Sequence, residues 1–281
     1  MLGKPVVEKL AREGYEVAIG NRSKEKAREI FGDRFPIVEL DVTDKKSVTP
    51  ALVGFDAIHL SLPSGPQFED CFRVETGGAK VIARAAFLAE IKRISYLSGT
   101  AVSSVVDFPP SKAKWQAEEA IKKSEVPYTI WRATWFMETL TKLVRFGTIA
   151  LPGGGKPSAH WLAGRDLGKM VAEAFRNEEA VNKTFYLFGP DELTLGEAAR
   201  IFRKTAYPGR PIVSAPLPVV TEMGKSLNNW EMWFGAQMMK FLKQVGETGD
   251  PSEARRILGS CETTVAEFAE QVKTERDKKS E

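Results

Sequence analysis

Four groups of side chains in this sequence have types and spacings suited to chemistry. Arg22 and Lys24 stand two apart at the end of the apolar run 16–20, so one turn offers two positive charges and several N–H donors, which suits a phosphate. Read on its own, the same turn is a solvated start to the next helix with Ser23 as its cap. Ser98 and Thr100 follow the apolar run 93–97, where hydroxyls can hydrogen-bond a reacting group or simply cap a turn. Lys114 shares an expected helix with Lys112, Lys122 and Lys123. It is either an ammonium directed at a ligand or part of a charged solvated face. Trp135, Phe136 and Met137, together with Trp233 on a bulky apolar helix, would suit an apolar substrate or ordinary core packing.

Composition removes several alternatives. The 281 residues are 43% hydrophobic and 27% charged, enough to bury a sizeable core. Cys71 and Cys261 lie far apart, and His59 and His160 stand alone, so neither a disulfide framework nor a metal site is expected. The 40 basic and 37 acidic residues are dispersed, which excludes a nucleic-acid stripe. No run is long and apolar enough to span a bilayer or form a signal peptide, so a cytoplasmic protein is expected. The glycines at 153–155 invite a phosphate-loop reading, but Ala150 and Pro157 stand where that pattern needs Gly and Ser or Thr.

The elements that must position these groups alternate. Short β-branched runs predict strands at 16–20, 36–40, 57–62, 93–97 and 128–132. Amphipathic patterns predict helices at 4–13, 24–31, 45–52, 68–89, 112–124 and 137–144. Strand and helix in alternation give an α/β fold with a parallel sheet flanked by helices. After Ala150 the pattern changes to a Gly-rich loop, a helix at 166–175, a strand at 184–187 and then mostly helices. Residues 1–150 are therefore expected to form the sheet domain and 151–281 a smaller, mostly helical lobe. The chain opens directly on a helix, and no strand precedes it. In a doubly wound nucleotide fold the first strand is central and its Gly-rich turn carries the phosphates. The chain is thus expected to lack the first strand, to start downstream of its natural beginning, and to bind its cofactor weakly as given.

Several segments carry a resemblance. Leu2-Gly3-Lys4-Pro5-Val6-Val7 is similar to the end of a G-x-x-G-x-x-G turn, with Gly3 as the last glycine. Gly20-Asn21-Arg22-Ser23-Lys24, Glu39-Leu40-Asp41-Val42-Thr43-Asp44 and Ser95-Tyr96-Leu97-Ser98-Gly99-Thr100 match the ends of later strands. Val126-Pro127-Tyr128-Thr129-Ile130-Trp131-Arg132-Ala133-Thr134-Trp135-Phe136-Met137-Glu138 is close to Leu-Pro-Tyr-Thr-Ile-Leu-Arg-Pro-Gly-Phe-Phe-Met-Glu. Together they resemble the NmrA-like and isoflavone-reductase-like families, which are atypical short-chain dehydrogenases with an NAD(P)-binding Rossmann domain.

The resemblance implies roles. Gly3 would sit at the pyrophosphate. Asn21, Arg22, Ser23 and Lys24 would meet the adenosine ribose, where positive charge selects NADP(H) over NAD(H). Asp41 and Val42 would flank the adenine, although Asp41 also reads as a plain turn residue. Ser61, Leu62 and Pro63 would run along the ribose and nicotinamide, and Thr134 would lie near the nicotinamide, with Trp135, Phe136, Met137 and Trp233 facing substrate. Ser98 or Thr100 would supply the catalytic hydroxyl. Lys114 matches the lysine of the Tyr-x-x-x-Lys pair, and Pro110 stands where the tyrosine would be. His59, inside an apolar run, reads as a packed core histidine. The implied activity is an NADP(H)-dependent oxidoreductase acting on a small carbonyl, quinone or enone, as a monomer or homodimer. The missing tyrosine keeps open a non-catalytic NADP(H)-binding sensor with a protein partner, and more weakly a sugar-nucleotide epimerase.

Overall fold

The structure, a computed structural model, describes residues 2–62 and 68–280. Pro63 lies outside the described residues. Two compact units are formed: Met1–Arg132 with Leu167–Tyr186 and Pro251–Gly259, and Ala133–Asp166 with Leu187–Asp250 and Ser260–Glu281. This differs from a single boundary at 150. The chain passes into the second unit straight after a strand of the first, and later segments return because their apolar faces are buried there.

The first unit alternates as the periodicity predicts. It contains α1 (Gly3–Arg12), β1 (Ile19–Asn21), α2 (Lys24–Phe31), β2 (Ile37–Glu39), α3 (Lys45–Ala51) and β3 (Ala57–Leu60). Then follow α4 (Phe68–Asp70), a π-helical stretch Cys71–Gly77, α5 (Gly78–Leu88), β4 (Arg93–Gly99), α6 (Pro109–Lys122) and β5 (Tyr128–Ala133). The helix expected at 68–89 is thus interrupted, and the widened turn brings Val74, Glu75 and Thr76 all into the interior. Ser23 and Asp44 start α2 and α3 by accepting from the amides of Lys26 and Lys46.

The sheet of this unit is in two pieces. β1 pairs in parallel with β2, while β3, β4, β5 and β9 (Lys183–Leu187) form a four-stranded sheet in that order. Among the described residues β1 and β3 are not paired with each other; in a doubly wound dinucleotide fold, the central strand lies between these two positions. Ile82, Ile94, Tyr96, Ile121 and Ile130 fill the core against the larger sheet, and Ile19, Ala27 and Phe31 a smaller one. α8 (Gly164–Arg176) returns most of its length to this unit. There the Tyr15 hydroxyl donates to the Ala172 carbonyl, and a Cβ on Gly168 would meet the Pro5 carbonyl oxygen at 2.9 Å. α12 (Ser252–Leu258) is held by Lys183–Glu253 at 2.6 Å.

The second unit contains α7 (Glu138–Lys142), β6 (Val144–Arg145), β7 (Thr148–Pro152), β8 (Ser158–Trp161), β10 (Asp191–Thr194), α9 (Leu195–Ala206) and β11 (Ile212–Ala215). α10 (Leu217–Ser226), α11 (Trp230–Val245) and α13 (Val265–Ser280) follow. The C-terminal region is helical as expected, and it also carries short strands: β11, β7 and β6 form one sheet and β10 pairs antiparallel with β8. The expected helix 137–144 is shortened to α7 because Val144 pairs with Ile149. Trp161, Phe202, Phe268, Met137 and Leu140 form the core. Gly189 crosses the Trp161 backbone so closely that a Cβ there would lie 1.5 Å from the carbonyl oxygen.

Candidate functional site

In the first unit, α1 begins without a side-chain cap and with no acidic residue in its first turn, so its leading amides are not taken up by a side chain. A Cβ built on Gly3 meets nothing within 4 Å among the described residues. After β1, Asn21 Oδ1 accepts from the Ser23 amide at 3.0 Å, which folds the turn and leaves Arg22 exposed. Arg22 makes no ion pair among the described residues, whereas Lys24 lies 3.7 Å from Glu39. Ser23 is the N-cap that the plain reading of this turn expected.

Asp41 Oδ1 accepts from the Thr43 amide at 2.8 Å and its hydroxyl at 2.7 Å. Those bonds, helped by the positive charge of Arg22, hold its carboxyl below the usual carboxylate range. Val42 packs on Gly78, where a Cβ would come within 2.8 Å of Val42 Cγ2. Ser61 and Leu62 follow β3, half-buried.

Two buried networks lie under the ends of β4 and β5. Ser98 donates to Glu118 Oε1 at 2.6 Å, and Arg132 grips both oxygens of that carboxylate while donating to the Tyr186 hydroxyl at 2.8 Å. Lys114 Nζ is 2.8 Å from Glu75 Oε2, donates to the Leu97 carbonyl at 3.1 Å and lies 5.4 Å above the Tyr96 ring. The Tyr96 hydroxyl donates to Glu75 Oε1 at 3.2 Å. Burial first, then the negative charge of Glu75, raises its pKa well above the normal phenol value. Lys112 is exposed, so the lysines of α6 have distinct environments. Thr100 is buried. His59 Nδ1 is 2.8 Å from the Ser95 hydroxyl, which also accepts from Trp131 Nε1; burial lowers the histidine pKa to about 4.

In the second unit, the Thr134 amide donates to the Leu187 carbonyl at 3.1 Å and its hydroxyl donates to Glu247. Glu247 also accepts from His160 Nδ1 at 2.5 Å. Trp135 is half-buried, edge-on to Trp161 at 5.4 Å, and Phe136 bridges to Leu162. Met137, expected beside substrate, is fully buried in the core. Trp233 is half-buried and packs on Trp230 at 4.8 Å, while its backbone seats closely on Gly224. Glu138 Oε1 accepts from the Gly164 amide at 2.9 Å, and burial raises its pKa.

The family described as NAD(P)H-binding matches residues 1–178. The chain belongs to the NAD(P)H-binding family. This NAD(P)H-binding protein is 22% identical over 221 residues to the photosystem II assembly factor Ycf39 of Trieres chinensis, covering 77% of this chain and 69% of that one. The chain spans about two-thirds of the length of the curated relatives it matches, 64% to 69% for three of them. Its fold is that of the Citrobacter triphenylmethane reductase complexed with NADP(H), with TM-score 0.75, 20% identity and coverage of 97% and 96% of the two chains. An NADPH-dependent quinone oxidoreductase of Escherichia coli complexed with NADPH gives TM-score 0.75 and 19% identity, with the same coverages. No helix among the described residues is long and apolar enough to cross a membrane.

The first unit of this NAD(P)H-binding protein fits a dinucleotide: an uncapped helix start beside an open glycine, and a free guanidinium at the end of the neighbouring strand. Sequence reasoning did not single out Glu75, Glu118, Glu247 or the pairing of His160. The available signal was a carboxylate on an otherwise apolar face, as at Glu118 between Ala117 and Ile121.

Proposed function

We propose that the protein is an NADP(H)-dependent oxidoreductase that reduces a small carbonyl, quinone or enone. The observation that carries this reading is Arg22, exposed and unpaired after β1, where an acidic residue would repel a 2′-phosphate. The α1 amides and Gly3 would hold the pyrophosphate, Arg22 the 2′-phosphate with Lys24 assisting, and Val42 would flank the adenine with Asp41 shaping its turn. Ser61 and Leu62, with Pro63 outside the described residues, would follow the ribose. The bound cofactor would supply hydride. An ammonium carries three N–H donors; Lys114 donates to the Leu97 carbonyl and is ion-paired with Glu75, which leaves a donor for a ribose hydroxyl. Two solved folds with bound NADP(H) or NADPH support the cofactor choice, and the activities of that triphenylmethane reductase and quinone oxidoreductase support a conjugated acceptor.

A second reading, a non-catalytic NADP(H) sensor, is favoured by one observation. Ser98 is buried and committed to Glu118, and Pro110 occupies the place of the usual proton-donating tyrosine. Oxidation of NADPH followed with a panel of quinones and enones separates the two. Steady turnover supports the oxidoreductase, and tight NADPH binding without turnover supports the sensor.

A further inference from the structure

A phenol, a carboxylate and an ammonium are linked inside the first unit, and the π-helical stretch Cys71–Gly77 brings them together. Its consecutive residues Val74, Glu75 and Thr76 are all buried. In a regular α-helix they would spread over about 200° of the helix surface; the widened turn lets the last two act on α6 together. The Thr76 hydroxyl donates to the Ala113 carbonyl at 3.0 Å and lies 3.2 Å from Gln116 Oε1, which ties α6 down on either side of Lys114. Glu75 sets its Oε2 2.8 Å from Lys114 Nζ, while its Oε1 accepts from the Tyr96 hydroxyl at 3.2 Å. The Leu97 carbonyl accepts from the same ammonium at 3.1 Å, and the Tyr96 ring lies 5.4 Å from it.

Stability alone does not ask for this arrangement. Replacing a buried ion pair by apolar side chains of similar volume is often neutral or stabilising, because desolvation offsets the attraction. The two partners are also unequally placed, with Glu75 1% exposed and the Lys114 side chain keeping 21% of its exposure. A carboxylate in that position fixes the end of a flexible four-carbon stem that would otherwise sample many rotamers. It leaves the ammonium within reach of solvent, with N–H capacity beyond the Leu97 carbonyl. We infer that Glu75 is the positioning residue for Lys114, holding its ammonium where it meets the nicotinamide-side ribose of a bound dinucleotide, with Thr76 fixing the turn of α6 that carries it. This rests on the cofactor reading above.

The test is binding rather than turnover. NADPH carries both halves of the dinucleotide, whereas adenosine 2′,5′-bisphosphate carries the 2′-phosphate end and no second ribose, so it offers Lys114 nothing to hold. Glu75→Gln keeps the shape and an oxygen for the Tyr96 hydroxyl while removing the charge. In calorimetric titrations of the full chain, Glu75→Gln is expected to weaken NADPH about tenfold or more and to leave adenosine 2′,5′-bisphosphate within about threefold of wild type. Adding Glu75→Gln to Lys114→Met is expected to cost no more than about a further threefold, because Glu75 acts only through that ammonium. Thr76→Val keeps every charge and nearly the same shape, and is expected to weaken NADPH alone, by about threefold or more. Equal losses on both ligands, an unchanged NADPH affinity, or losses that multiply in the double variant overturn the assignment and leave the cofactor reading standing. A wild-type chain that binds neither ligand overturns both.

Discussion

Arg132 closes a two-point ion pair on Glu118, with Nε 3.0 Å from Oε1 and Nη2 2.7 Å from Oε2, around a carboxylate with no exposure. Ser98 donates to Oε1 and Lys122 lies 3.5 Å from Oε2, so the hydroxyl expected to do chemistry also satisfies a buried charge. Removing one partner leaves the other charged and dry. Arg132→Met is therefore expected to cost about 3–5 kcal/mol and Ser98→Ala about 1–3 kcal/mol, the cost of leaving a buried charged acceptor one donor short. Denaturant unfolding of the two variants checks the order and the gap.

Lys114 stands in the same relation to Glu75, which is 1% exposed. Lys114→Ala is expected to lower both the melting temperature and NADPH affinity, the latter by about tenfold or more if the third N–H meets the ribose. Lys112→Ala, on the exposed side of α6, should change neither. Calorimetric titration beside thermal melts separates the two effects. A loss of stability with unchanged affinity would leave Lys114 a core-neutralising residue only.

Arg22→Glu should remove the preference for NADPH over NADH, a loss of about ten- to a hundredfold for one charge-assisted contact. Lys24→Ala should do less, because its ammonium is shared with Glu39 at 3.7 Å. Parallel titrations with the two cofactors measure the ratio directly.

His59 gives a pH signature of folding. Its pKa is lowered from 6.5 to about 4 by burial, so between those values the unfolded chain binds a proton that the native state refuses. The sign follows: this term is absent above pH 6.5, destabilises progressively as pH falls toward about 4, and is constant below, reaching at most about 3 kcal/mol. His59→Gln should flatten that part of the stability profile measured by urea unfolding at successive pH values, and an unchanged slope would refute the assignment.

Local signals were legible in the sequence because their causes are local. Alternating apolar runs placed β1 to β5 within a few residues, and Ser23 and Asp44 announced the starts of α2 and α3 through their own hydroxyl and carboxylate. The match at 126–138 located the end of β5 and the apolar side chains beyond it. Tertiary structure alone decided which distant groups meet. Glu75 reaches Lys114 only because a π-helical turn rotates it inward, and Glu118 faces Arg132 only because α6 packs across β4 and β5. Thr134, His160 and Glu247 converge from three segments, the first and last of them 113 residues apart. Buried charges follow whichever partner the packing brings within reach. Spacing along a chain carries no record of that partner, because the free energy of the pair depends on burial and geometry that exist only once the core has closed.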